Sequence, residues 1–300
     1  MSMPDLDTPD LEMIKDARIR ASVAATTGTV EARSGLFTEK FAMQNYVKIL
    51  LREAEAAART WAQWLAINDE LGNEELQSAL KRFDCVYAAD ITRLALLRDA
   101  FLGAFRLIDP VGSKPPDFAT GSVDDSRYTF CAIAKYLAGG GGKAIVTRPD
   151  WVIDQGYSQK QAIERSRTNT ELVDAFLGRV PSDWKHADAL PDQAFSRLRE
   201  TLKPWRNVIA HSVGLEAEPS KVTLGQIDDF IKATLRLATD MSYVFVGSRG
   251  PGVEAESIEM ASAEEAKRYW RPMFQGLLDQ RRKALAEADK PFSELLAANP

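Results

Sequence analysis

Histidine and cysteine are scarce in this 300-residue chain, which contains only two of each. Zinc centres of the His/Cys kind need three or four such ligands close together, so the composition argues against them. Cys85 and Cys131 stand far apart, each inside a predicted helix, which argues against a disulfide framework and fits a reducing compartment. We therefore expect neither a metal nor a cofactor.

Long apolar runs and an excess of basic residues are also missing. No stretch approaches the roughly 20 apolar residues that cross a bilayer, and the acidic N-terminus lacks the features of a signal peptide. We therefore expect a cytoplasmic protein without membrane contact. The net charge is −5, and only a small basic excess, eleven Lys or Arg against nine Asp or Glu, lies between Lys143 and Arg206. Any polyanion would have to meet such a local patch.

Several familiar motifs are absent from the sequence. There is no His-Glu-x-x-His, no EF-hand loop and no Gly-x-Ser-x-Gly elbow. The four glycines before Lys143 do not make a phosphate-binding loop, because Leu137 stands at the first glycine position and Ala144 at the Ser/Thr position. We interpret these glycines as a flexible hinge.

Apolar residues recur at helical spacing through most of the chain, which predicts an all-α protein. A polar N-terminal arm (1–38), a helical domain (39–250) and an extra C-terminal amphipathic helix (251–300) are expected. The predicted helices span about 38–70, 74–108, 128–137, 158–180, 192–213, 224–246 and 261–288. One of the few β-like runs is Ala144–Thr147.

The predicted helix 74–108 carries a narrow polar seam. Thr92, Asp99 and Arg106 fall within about 40° of one another on a helical wheel. The seam could line a substrate cleft, although an ordinary salt-bridge seam between helices is the simpler interpretation. Asp90 is expected to pair with Arg93, three residues further on.

The predicted helix 192–213 has a clear apolar stripe. Taking the centre of this stripe as zero, Asn207 and His211 project about 160° away and Arg206 about 60° away. A histidine buried in the core of its own helix packing is therefore disfavoured, whereas a solvated histidine or one facing a partner chain remains open. The stripe consists of Phe195, Leu198, Leu202, Trp205 and Ile209.

The string Trp205–Ser212, which reads Trp-Arg-Asn-Val-Ile-Ala-His-Ser, resembles the RNase-type motif of the HEPN superfamily. That signature is an arginine, a polar residue directly after it, a short spacer and a histidine. The form Arg-Asn-x-x-Ala-His-Ser, preceded by an aromatic residue, is especially similar to the abortive-infection branch. Phe105–Asp109 is also similar to that branch. The resemblance covers about residues 40–250, and only 201–214 match sharply.

The resemblance implies a helical bundle that dimerises and sets two Arg/His pairs around one cleft. The implied activity is metal-independent RNA cleavage by a toxin or antiphage effector. His211 would be the general base or acid, since an unperturbed histidine pKa of about 6.5 allows proton transfer near neutrality. Arg206 would hold the scissile phosphate, and Asn207 would orient the histidine or the phosphate. Weaker candidates for substrate contacts are Arg106, Asp99 and Ser212.

Two other functions remain open at this point. One is a non-catalytic HEPN-like module that binds RNA or protein, and the other is a helical scaffold unrelated to HEPN proteins. An antitoxin or defence-system partner is possible, but Val213 occupies the position where many family toxins carry a tyrosine, which argues against control by tyrosine modification. Trp270 and Phe274 of the C-terminal helix are expected to stabilise a dimer.

Overall fold

The computed structural model describes residues 30–108, 128–139, 141–153, 155–211, 222–247 and 252–288, with side chains from residue 40 onward except those of residues 210 and 211. Every regular element in these ranges is a helix, which confirms the all-α class. The α-helices are α1 (Val30–Glu70), α2 (Glu74–Arg82), α3 (Val86–Ile108), α4 (Phe130–Ala138), α5 (Gly142–Val146), α6 (Pro149–Ile153), α7 (Gln159–Arg179), α8 (Ala194–His211), α9 (Leu224–Val246) and α10 (Val253–Ala288). A 3₁₀-helix, Trp184–Ala189, precedes α8.

The long helix α1 lies at the centre of the bundle and packs against α3, α9 and α10. Aromatic rings pack in the core between these helices. The ring of Phe230 lies 4.6 Å from that of Phe105 and is stacked on Phe195 at 5.8 Å. Since Phe195 belongs to α8, this stack fixes the helix that carries Arg206 to the main core.

The predicted helix 74–108 is in fact two helices, α2 and α3. Asp84 adopts a left-handed φ of 54°, and the amide of Cys85 donates to the carbonyl of Leu80 at 2.8 Å. This bonding pattern closes a helix, and glycine usually occupies the left-handed position. An aspartate, Asp84, occupies this position here, so the sequence lacks the glycine that usually marks the end of a helix. Cys85 consequently lies at the break between the two helices.

The glycine-rich stretch leads into a helix rather than a strand. The β-like run Ala144–Thr147 falls largely within α5, in keeping with the predicted all-α class. A Cβ on Gly142 would lie 2.4 Å from the carbonyl oxygen of Tyr136, and Gly141 has a φ of +118°. Gly142 is thus required by the close contact with Tyr136, and Gly141 by its left-handed backbone.

The C-terminal helix α10 begins at Val253, earlier than predicted, and packs along α1 and α2. Phe274 and Leu278 are buried in a second core with Ile67 and Leu76, and Trp270 packs against it. Phe274 therefore stabilises its own chain, and the role of Trp270 and Phe274 in stabilising a dimer stays a prediction.

None of the helices in the described ranges combines the length and apolarity that crossing a membrane requires.

Candidate functional site

Helix α8 carries the candidate site and is held by its apolar stripe, as predicted. Phe195 and Leu202 are buried, whereas Trp205 and Ile209 are half-buried and pack against the main core. The carboxylate of Asp192 accepts from the amide of Ala194 at 3.1 Å just before the helix begins. The side of α8 opposite this stripe carries polar residues such as Asn207.

Pro204 lies inside α8, where a proline was not expected. Proline has no backbone N–H, so the carbonyl of Glu200 lacks its usual helical donor. The helix continues through this position to His211. The discontinuity in the hydrogen-bond ladder comes two residues before Arg206.

Arg206 and Asn207 are bonded to each other on the polar side of α8. The side-chain oxygen of Asn207 accepts from Nε of Arg206 at 3.1 Å and from Nη2 at 2.8 Å. Asn207 is exposed and Arg206 is partly exposed. Two bonds to one acceptor restrict rotation of the guanidinium plane, so Asn207 orients the arginine, and its predicted role toward the histidine or the phosphate stays a prediction.

His211 is the last residue of α8, and its side chain lies outside the described residues. Ser212 and Val213 also lie outside them. The backbone is helical from Arg206 to His211, so Asn207 and His211 are one turn apart along the helix. The structure thus brings Arg206 and Asn207 together and sets the backbone of His211 one turn beyond them.

Asp99 and Arg106 line a different surface, a groove of about 810 Å³ between α1 and α3. Arg106 is exposed and lies 3.6 Å from the carboxylate of Glu53 on α1. The hydroxyl of Thr92 donates to the carbonyl of Ala88. All described residues that line this groove belong to α1 and α3, so the groove does not include Arg206. The salt-bridge interpretation of Arg106 fits this arrangement.

Two ion pairs lie near these helices, one on α3 and one between α7 and the residues just before α8. Arg93 and Asp90 pair at 3.2 Å, as expected. Asp192 pairs with Arg179 at 2.8 Å, and this hydrogen bond lowers the pKa of the Asp192 carboxyl. The second pair ties the end of α7 to the start of α8.

A buried arginine on α8 was missed from the sequence. The guanidinium of Arg199 lies over the ring of Trp184, 4.3 Å from its centroid, and its side chain is 4% exposed. Burial lowers the pKa of Arg199. The indole of Trp184 donates to the carbonyl of Ile108 at 2.7 Å. Arg199 precedes Arg206 by seven residues, or about two helical turns. The two arginines therefore lie on the same side of α8.

Cys131 lies in the same region and should be chemically inert. Burial raises the pKa of its thiol to about 12, although the charge of Arg199 opposes the shift. Because the thiolate is the reactive form, we expect Cys131 to react with an aromatic disulfide reagent at least about 100-fold more slowly than the half-buried Cys85 near pH 8. Rates measured on the Cys85→Ser and Cys131→Ser variants separate the two thiols. Similar rates in the folded protein would contradict the expectation.

The described residues hold no group of three or more His, Cys, Asp or Glu side chains that could bind a metal ion. No protein-family model, curated protein or solved structure matches this chain. The resemblance to HEPN proteins is therefore carried by the motif on α8.

Proposed function

We propose that this chain is a metal-independent endoribonuclease of HEPN type that acts as a toxin or antiphage effector. The observation that carries the proposal is the Arg206–Asn207 pair, in which two hydrogen bonds orient a guanidinium one turn before a histidine on one continuous helix. A fixed guanidinium suits bidentate recognition of a phosphate, since less side-chain freedom is lost on binding.

The chemistry follows from the two residue types. His211 takes the proton of a ribose 2′-hydroxyl, and that oxygen attacks the neighbouring phosphorus while the bond to the 5′ oxygen breaks. The departing 5′ oxygen gains a proton from the imidazolium of a His211 or from water, and the products carry a 2′,3′-cyclic phosphate and a 5′-hydroxyl. Arg206 stabilises the negative charge that develops on the phosphate oxygens. No external oxidant or reductant takes part.

A homodimer is part of the proposal. Arg206 and His211 lie about 140° apart around an ideal helix, so one flat face cannot present both squarely to a phosphate. A groove between two symmetry-related copies of α8 could present an arginine and a histidine to the same phosphate. We further propose a cytoplasmic location and an antitoxin or defence-system partner that restrains the toxin.

The purified full-length protein should cleave single-stranded RNA in the presence of EDTA and leave DNA of the same sequence intact. DNA lacks the 2′-hydroxyl that serves as the nucleophile, so no cyclic phosphate can form. Denaturing gels with end-group analysis of the fragments measure both expectations. Cleavage of DNA at a similar rate, or RNA fragments ending in a 3′-hydroxyl, would exclude the proposed mechanism.

A further inference from the structure

A second cavity, of about 540 Å³, opens between α1, α9 and α10. Its wall is mainly apolar, and part of that apolar surface is exposed: Leu65 is 43% exposed and Met260 is 71% exposed. The volume falls within the range of about 300–1,000 Å³ for small-molecule sites, which combine an apolar lining with a few polar groups. Other apolar residues of the wall are Trp61, Ile231 and Leu235.

Three of the polar groups at this cavity satisfy one another. One carboxylate oxygen of Asp228 accepts from the indole of Trp61 at 2.7 Å, and the other lies 2.7 Å from the ammonium of Lys232. The hydrogen bond to Asp228 raises the pKa of Lys232, which keeps the lysine charged. Lys232 already has Asp228 as a partner, so a ligand gains less by pairing with this lysine.

Glu259 differs from them because its carboxylate has no hydrogen bond or ion pair with any described residue, although the side chain is half-buried. Burial raises its pKa, the positive charges of Lys232 and Arg236 oppose the shift, and the negative charges of Asp228 and Glu256 add to it. A partly buried carboxylate without a hydrogen-bond partner gains one from an incoming ammonium group.

The remaining charges also favour a cation over an anion. Lys267 has Glu264 at 3.9 Å, and Asp69 adds a further carboxylate to the lining. Carboxylates thus outnumber ammonium groups around the cavity by one. An anionic ligand would have to share Lys232 with Asp228 or Lys267 with Glu264.

We propose that this cavity binds an apolar small molecule bearing a protonated amine, with the ammonium on Glu259 and the apolar part against Leu65 and Met260. The cavity shares no lining residue with α8, so this site does not depend on the ribonuclease proposal.

Three probes of similar size and different charge test the ligand class on the full chain: 2-phenylethylamine, 2-phenylethanol and 3-phenylpropionate. Calorimetry or ligand-observed NMR should give the amine an affinity at least about tenfold above that of the alcohol, since a hydrogen bond to a charged group is stronger than one between neutral groups. The acid should bind most weakly. Preference for the acid, or equal binding of all three probes, would overturn the proposal.

Substitutions then locate the binding site. Glu259→Gln should weaken the amine about tenfold and leave the alcohol unchanged. Glu256→Gln removes an exposed carboxylate outside the lining and should change either affinity by less than about twofold. Ala263→Phe fills the cavity and should abolish binding of both probes. If Glu259→Gln, with folding verified by circular dichroism, binds the amine as tightly as wild type, the proposal is wrong. This conclusion holds for any result with Ala263→Phe.

Discussion

Replacing His211 with alanine is expected to lower the rate of RNA cleavage by at least about 100-fold, because a positioned general base or acid contributes about 100- to 10,000-fold. The substitution removes a side chain at the end of α8, beyond the buried Phe195 and Leu202, so the helix should remain anchored. Single-turnover cleavage of an end-labelled RNA in EDTA measures the effect directly.

The chain offers a matched control, since His186 is its other histidine. His186 is exposed on the 3₁₀-helix Trp184–Ala189, and His186→Ala should leave the cleavage rate within about twofold of wild type. If His211→Ala cleaves RNA as fast as His186→Ala, the histidine has no catalytic role and the enzyme proposal fails.

Replacing Arg206 with alanine is the second large effect that we expect, a loss of about 100- to 1,000-fold in cleavage rate. That is the usual cost of removing one group that stabilises charge in the transition state. Arg206→Lys should recover little, because a lysine cannot reproduce two parallel bonds to the side-chain oxygen of Asn207. Arg197→Ala is the control, since it removes an exposed arginine from the same helix.

A double-mutant cycle distinguishes positioning by Asn207 from direct contact with the substrate. If Asn207 acts through Arg206, Asn207→Ala should lower the rate about tenfold in the wild-type background and hardly at all in Arg206→Ala. Equal losses in both backgrounds would give Asn207 a role independent of the arginine. Thermal unfolding should change little in the variants at Arg206, Asn207 and Arg197, because these three side chains are wholly or partly exposed.

Helices with local start and stop signals were predicted well. The expected helix 224–246 coincides with α9, which begins with a capping box between Thr223 and Gln226 and ends at the left-handed Gly247. Helix α7 likewise begins with a capping box at Ser158. Such signals are legible from the sequence because the residues that form them lie within one helical turn of each other.

Boundaries without such signals were predicted poorly. The break at Asp84 uses an aspartate in a position that glycine usually fills. The start of α10 at Val253 also escaped prediction, and Phe274 of this helix is buried with Ile67 of α1, more than 200 residues earlier in the chain. Packing between distant helices supplies most of the stability of a helix in a protein, and it leaves only a weak trace in local sequence.

For the candidate site, the sequence by itself determined the helix and its phase. The stripe from Phe195 to Ile209 predicted which side of α8 meets the core, because apolar burial follows helical periodicity. Only the tertiary structure decided that Asn207 holds the Arg206 guanidinium, that Asp99 and Arg106 line a separate groove, and that Arg199 lies over Trp184. The physical reason is that periodicity gives the direction in which a side chain leaves its helix, whereas rotamers and neighbouring helices decide what it contacts.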